Sequence, residues 1–354
     1  MTTAAPALPR CLVILLGTAA AVVTVAGLKA MAWLITPVLL ALVIVIVLSP
    51  VHAWLRQHGF RPWAATLVLV LLIYGLLVAF SLVVIVSVAK LTSLLPQYTD
   101  RVRELATSAV DAAGSLGVRP GALREAANSL DLGKVLTSLG GLLGDLTGLT
   151  TSIVFLLALL LFFSVEANGI DSRLSDVDGD RPQVREALGG FAGRTRRYLA
   201  VATAFGLIVA VVDTVALLWL GIPLAVLWGL LSFVTNYIPN IGFLLGLLPP
   251  ALLALLGSGW QRMVAVIVVY ALINFVAQSV IQPRYVGDAV GLSTALTFVS
   301  LVFWAWVLGP VGVLLAIPAT LLVMAVLVEI DPAAGWVAAL VRAPPKRTDE
   351  LSPG

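Results

Sequence analysis

Ile238-Pro239-Asn240-Ile241-Gly242-Phe243-Leu244-Leu245, followed by Pro249-Pro250, interrupts an apolar stretch that runs from Leu224 to Gly257. Proline has no N–H to give a helix and displaces the carbonyl one turn earlier, while glycine lets another backbone come close. The part before the break, 224–238, makes about 22 Å of helix, short for a membrane crossing. The same pattern occurs again. Leu308-Gly309-Pro310-Val311-Gly312-Val313-Leu314-Leu315, followed by Pro318-Ala319, breaks a second apolar unit, 294–329. Each unit is expected to be a re-entrant hairpin or a strongly broken helix. Paired broken hydrophobic segments point to the binding site of a transporter.

Working outward, the rest of the chain is lipid-soluble. Of its 354 residues, 60% are hydrophobic and only 11% charged, against about 25% charged in an ordinary soluble domain. Lipid must cover much of that apolar surface. The single cysteine, Cys11, forbids a disulfide within the chain, and the two histidines, His52 and His58, read as solvated residues beside a Pro-bounded loop. No metal site and no cofactor is expected. Apolar runs long enough to cross a bilayer, about 17–25 residues, are read at 11–28, 31–49, 63–89, 147–165, 200–221 and 260–282. Arg10 before the first run resembles a signal peptide, but a second apolar run begins at Met31 with no cleavage site between, so a retained helix is expected.

The predicted fold class is therefore an all-α integral membrane protein, polytopic, with six full spans, two broken hairpins and an extracytoplasmic helical segment. Its parts are N-terminal transmembrane helices (1–89), an extracytoplasmic amphipathic segment (90–146), a span with a cytoplasmic linker helix (147–199), a transport core (200–330) and a cytoplasmic tail (331–354). Charge supports this topology. With the N-terminus inside, 13 of the 21 Lys and Arg fall on the cytoplasmic side, and six of the other eight lie in the long 90–146 segment, where the positive-inside rule weakens. Both termini are then cytoplasmic, and both broken units are hairpins or both are crossing pairs. Arg194, Arg196 and Arg197, at the start of a span, read as interfacial anchors.

Several residues are candidates for the transport path. Freed backbone groups in hydrocarbon are costly unless a cavity, protein or ligand satisfies them, and half-helix ends can hold an ion or small polar solute. Pro239, Gly242, Gly309, Pro310 and Gly312 would shape such a site, and Asn236 and Asn240 would lend it polarity; alternatively the glycines serve close helix packing. Asp213 lies inside a span among Ala210-Val211-Val212 and Val215-Ala216-Leu217. A lone ionised carboxylate facing lipid costs several kcal/mol, so it faces a cavity or is protonated. It is either a coupling site for H⁺ or Na⁺ or a neutral acid bonded to a nearby Thr or Asn. Asn274, Gln278 and Gln282 recur every four residues, on one helix face, which lines the interior or bonds a neighbouring helix. Arg284 follows at the cytoplasmic end, as an attractor for an anionic cargo or a snorkelling anchor. Phe303, Trp304 and Trp306 are expected to pack the second hairpin.

In order, Gly221-Ile222-Pro223, Asn236-Tyr237-Ile238-Pro239-Asn240-Ile241-Gly242 with Pro249, Gln282-Pro283-Arg284-Tyr285-Val286-Gly287 with Val290-Gly291-Leu292, and Gly309-Pro310-Val311-Gly312 with Pro318 resemble the autoinducer-2 exporter (AI-2E) family of bacterial permeases. The resemblance runs from about Phe191 to Glu329; before that it extends only to hydropathy and layout. Asn240 stands where an aromatic is common, Ser293-Thr294 replaces a frequent His-Pro pair, and Asp213 is outside the pattern. The resemblance implies a multi-pass protein of the bacterial inner (plasma) membrane and export of a small polar solute or signal molecule, such as a quorum-sensing furanone. It implies as an alternative Na⁺(Li⁺)/H⁺ antiport, and it implies a homo-oligomer, a pentamer among the possibilities.

Other classes find less support. No His-Glu-x-x-His, Gly-x-Ser-x-Gly or Gly-x-x-x-x-Gly-Lys-Ser/Thr motif is present, so neither an intramembrane enzyme nor nucleotide-driven transport is expected. Nothing points to nucleic acid. A structural or receptor role resting on 90–146 would leave the two breaks unexplained.

Overall fold

The structure is a computed structural model that describes residues 9–115, 155–166, 182–239, 241–277 and 292–331. Its helices are α1 (Arg10–Ala30), α2 (Ala32–Gln57), α3 (Pro62–Leu94), α4 (Thr99–Ser115), α5 (Phe155–Glu166), α6 (Pro182–Trp219), α7 (Ala225–Thr235), α8 (Gly242–Ser258), α9 (Trp260–Phe275), α10 (Thr294–Leu308) and α11 (Pro310–Met324). A 3₁₀ turn at Leu95–Tyr98 joins α3 to α4, and a π turn at Ala325–Glu329 extends α11. No β-strand occurs among the described residues. The protein is an all-α, polytopic membrane protein.

Among the described residues, four helical runs are long and apolar enough to cross a bilayer: Ala32–Gln57, Pro62–Leu105, Pro182–Trp219 and Pro310–Glu329. The last belongs to the second broken unit, so its second arm has the length of a full span. The first arm, α10, has 15 residues, about 22 Å of helix. Both breaks fall where Pro and Gly place them: between α7 and α8, at 236–241, and at Gly309, where φ is 74°. That backbone conformation costs a side chain energy and costs glycine almost none.

Four other prolines, in three helices, do not end them. α2 continues through Pro50 to Gln57, α8 through Pro249-Pro250 to Ser258 and α11 through Pro318 to Met324. The expectation that a span ends at 49, leaving a loop around His52, is thereby corrected. A chain leaving the helix in an apolar setting would strand several peptide groups, whereas one proline frees only one or two.

The chain forms two compact units, one of residues 1–46, 166–195 and 291–354, the other of 47–165 and 196–290. In the first, α10 packs along α11 as a hairpin and α1 touches α10. Trp304 is buried there and its Nε1 donates to Thr320 Oγ1 at 2.9 Å. Trp306, by contrast, is exposed and carries Lys29 Nζ over its ring at 3.9 Å. Phe303 meets Trp304 edge to face. The aromatic trio thus packs the second hairpin only through Phe303 and Trp304.

In the second unit α8 packs between α7 and α9, and α3 touches α7. Its core gathers Leu217, Ile222, Trp228, Leu247, Ala254, Val266 and Tyr270. The face of α6 shows how a membrane inverts the soluble rule. Leu207, Ile208, Val211, Val212, Val215 and Leu218 are exposed, while Val209, Ala210, Asp213 and Leu217 are buried. Large apolar side chains out and a carboxylate in is the arrangement that lipid stabilises and water does not.

Candidate functional site

The first break is held open by its neighbours. Pro239 has no N–H, and Ile238 N turns back to Thr235 O (2.8 Å) while Gly242 N resumes the helix on Ile238 O (3.0 Å). The carbonyl of Tyr237 is satisfied by Tyr198 Oη–H from α6, at 2.8 Å. The Tyr237 hydroxyl pairs with Thr203 Oγ1 (2.7 Å), and Asn236 Nδ2 donates to Ala202 O (3.2 Å). Three hydrogen bonds therefore dock the break onto one stretch of α6, and these polar groups are met by protein rather than lipid.

Glycines set how close these helices come. A Cβ on Gly242 would collide with the carbonyl oxygen of Thr235, one on Gly229 with Thr214 Oγ1, and one on Gly206 would lie 3.0 Å from Asn236 Nδ2. At Gly246 it would meet Thr235 Oγ1 at 3.0 Å and Ser232 Oγ at 3.2 Å. The second hairpin repeats the device, since a Cβ on Gly312 would collide with the carbonyl oxygen of Trp304. Both breaks are thus followed by a glycine pressed on the last turns of the preceding helix. Gly242 and Gly312 have a packing role in this geometry.

Beside the first break lies a polar cavity. Asp213 enters it from α6, Ser232, Thr235 and Asn236 from the end of α7, and Tyr270 and Asn274 from α9, with Val209 and Phe243 closing it. The volume open to the centre of a water molecule is about 10 Å³, near the threshold for a single water. Asp213 is fully buried and Tyr270 nearly so. Neither carboxylate oxygen of Asp213 nor the Tyr270 hydroxyl has a hydrogen-bond partner among the described residues. Ser232 is near enough to act on both, but not in bonding geometry. Unpartnered buried polar groups are rare in native proteins, and each calls for a bound water, an ion or a protonation state.

Of the residues singled out in the sequence, Asp213, Asn236 and Asn274 come together at this cavity, and Pro239 and Gly242 lie in the adjoining break. Gly309, Pro310 and Gly312 form the break of the other unit. Asn240, Gln278, Gln282 and Arg284 lie outside the described residues, as do most of the extracytoplasmic segment and the tail. Ser232, Thr235 and Tyr270 escaped the sequence reading. Their signal was spacing: 232 and 235–236 share a face, as do the buried Val266, Tyr270 and Asn274. Arg194, expected at the membrane interface, pairs with Glu329 at 2.7 Å; both belong to the first unit.

Comparison with known proteins agrees with this architecture. The profile described as AI-2E family transporter matches residues 16–331. The chain is 32% identical over 307 residues to the AI-2 transport protein TqsA of Escherichia coli, covering 85% of this chain and 88% of that protein. It is 31% identical over 313 residues to YhhT of the same organism, described only as a candidate transport protein, covering 87% and 88%. A third relative, a candidate transport protein of Haemophilus influenzae, is 30% identical over 318 residues, 87% of this chain and 90% of that one.

Proposed function

The chain belongs to the AI-2E family of transporters, and on that premise we propose that it exports a small polar solute along a path shaped by its two broken hairpins. The observation that carries this reading is the polar cavity beside the first break, set in helices whose outer faces are apolar. Pro239, Gly242, Gly309, Pro310 and Gly312 give the path its discontinuities, Asn236, Asn240, Asn274, Gln278 and Gln282 its polarity, and Arg284 an attraction for anionic groups at the inner end. Both termini are cytoplasmic, in the bacterial inner membrane, on the strength of the Lys and Arg distribution. The chain transports rather than catalyses, and it works as a homo-oligomer, a pentamer being the form that the family resemblance suggests.

The furanone signal is the first solute to try, because TqsA is an AI-2 transport protein. A second reading, Na⁺(Li⁺)/H⁺ antiport through Asp213, is favoured by the burial of that carboxylate without a partner. Flux in proteoliposomes with an internal pH dye and imposed Na⁺, Li⁺ or K⁺ gradients separates the two. Furanone efflux with no cation-driven proton movement supports the first reading. Cation-driven proton movement that is lost in Asp213→Asn supports the second, and neither flux from inserted protein overturns both.

A further inference from the structure

We propose that the corner between α2 and α3 is a docking surface for an anionic phospholipid. Arg56 and Arg61 take the headgroup phosphate, and Trp54, Phe60 and Trp63 sit at the boundary between headgroups and acyl chains. The corner is a built structure. Leu55, Ala65 and Leu69 are buried against one another with Leu48 beside them, and His52 Nε2 lies 3.4 Å from Thr66 Oγ1. Gly59, at a φ of 88°, turns the chain after α2, which glycine does at little cost. Phe60 N then returns to Leu55 O at 3.2 Å and Gly59 N to Arg56 O at 3.1 Å. His58 is held by its Nδ1–H, which donates to Trp54 O at 2.8 Å, and by its ring, centred 4.1 Å from that of Trp54. Three carbonyls at the end of α2 are thus met inside the turn, which mutes the negative pole of that helix.

Charge names the occupant. Arg56, His58 and Arg61 are all exposed, and no Asp or Glu precedes Asp100 in the chain. Neither guanidinium has a hydrogen-bond or ion-pair partner among the described residues. Other basic residues beside helix ends are engaged: Arg262 donates to Ser258 Oγ at 3.0 Å, and Lys29 lies over the ring of Trp306. A free guanidinium is a planar fork that matches two phosphate oxygens. The aromatic residues set the depth. Trp54 and Trp63 are 55% and 65% exposed, and with Phe60 they lie within one turn of the ends of two apolar helices. Such rings gather at the membrane–water boundary, where the apolar body and the polar N–H are both satisfied. A zwitterionic headgroup brings its own cation beside the phosphate, which the two arginines repel; an anionic headgroup does not. The inference holds whichever solute is carried.

The test is native mass spectrometry of the purified full chain in detergent, titrated with phosphatidylglycerol or phosphatidylcholine. The expected result is saturable retention of phosphatidylglycerol at lower lipid concentration than phosphatidylcholine. Arg56→Gln and Arg61→Gln, singly and together, should weaken phosphatidylglycerol binding by about fivefold for each charge removed, and leave phosphatidylcholine binding as it was. Trp63→Ala should weaken both lipids alike, because it removes an apolar seat and no charge. The double variant Lys90→Gln/Arg262→Gln takes two charges from other exposed positions and should change neither. Thermal melts check that each variant is folded. Equal retention of the two lipids by the wild type would overturn the proposal, as would undiminished phosphatidylglycerol binding by the folded arginine variants. An equal loss in the two double variants would also overturn it, since the attraction would then be diffuse. Displacement of the lipid by inorganic phosphate would make the corner a free-phosphate site and overturn the lipid as its occupant.

Discussion

The hydroxyl of Tyr198, on α6, donates a 2.8 Å hydrogen bond to the main-chain carbonyl of Tyr237, two residues before the proline of the first break. A helix interruption in a membrane needs a partner for each group that it frees, and here a side chain 39 positions away supplies one. Tyr198→Phe removes the donor and keeps the ring, leaving a carbonyl unsatisfied at a cost of about 1–3 kcal/mol. The expected outcome is a lower melting temperature in detergent with normal membrane insertion. A melt identical to wild type would mean that water already serves that carbonyl.

The glycines after the two breaks are predicted to behave alike and unlike other helical glycines. Gly242→Ala and Gly312→Ala each press a methyl onto a backbone carbonyl that cannot rotate away, a form of overpacking that costs about 1–3 kcal/mol. Gly75→Ala, in α3 with nothing within 4 Å of its Cβ, should instead be neutral or stabilising by up to about 1 kcal/mol from helix propensity. Melting curves of the three variants decide this. Because Gly242 is needed for packing, loss of flux on replacing it says nothing about solute contact, and polar neighbours are the better probes.

Trp304 and Thr320 tie the two arms of the second hairpin by a buried 2.9 Å bond. Trp304→Phe strands the hydroxyl and Thr320→Val strands the indole N–H, each costing about 1–3 kcal/mol, whereas removing both partners is far less costly than the sum. A double-mutant cycle on unfolding in detergent should show that non-additivity. Strict additivity would mean that the bond contributes nothing of its own.

Glu329 closes the π turn and pairs with Arg194 across 135 positions of chain. Arg194 remains 26% exposed and Glu329 12%, so the pair lies between the surface and buried extremes. Glu329→Gln is expected to destabilise by about 1–3 kcal/mol, less than the ~3–5 kcal/mol of a fully buried pair. Unfolding midpoints of the variant against wild type, at low and high salt, read this directly; little salt dependence is expected because the pair is partly shielded.

How much of this was legible follows from what each residue type does locally. The breaks at Pro239–Gly242 and Gly309–Gly312 could be located because proline and glycine act on their own backbone whatever surrounds them. Pro50 misled for the same reason, since a rule drawn from chains that water can solvate overstates its power to end a helix in lipid. Asp213 was legible as inward-facing because a carboxylate has nowhere else to go in a span. Ser232 and Thr235 were not, because a hydroxyl that can bond its own helix carbonyl looks the same in the sequence whether it lines a cavity or not. Tyr270 reads as one more large side chain in an apolar run until Asp213 is placed opposite it. The pairing of Arg194 with Glu329 was hidden by distance along the chain.

Gly206 offers a way to disturb the cavity without removing any of its oxygens. A Cβ there would stand 3.0 Å from Asn236 Nδ2 and 3.4 Å from Asn236 Cβ, so Gly206→Ala must push that side chain by a few tenths of an ångström. The bond from Asn236 to Ala202 O is already long at 3.2 Å and would weaken further. Asp213 sits two helical turns along α6 and is untouched. Gly206→Ala is therefore expected to destabilise by about 1–3 kcal/mol, read as a lower melting temperature in detergent with normal membrane insertion. A melt identical to wild type would mean that Asn236 gives way without losing its bond to Ala202 O, and that this bond does not hold the break in place.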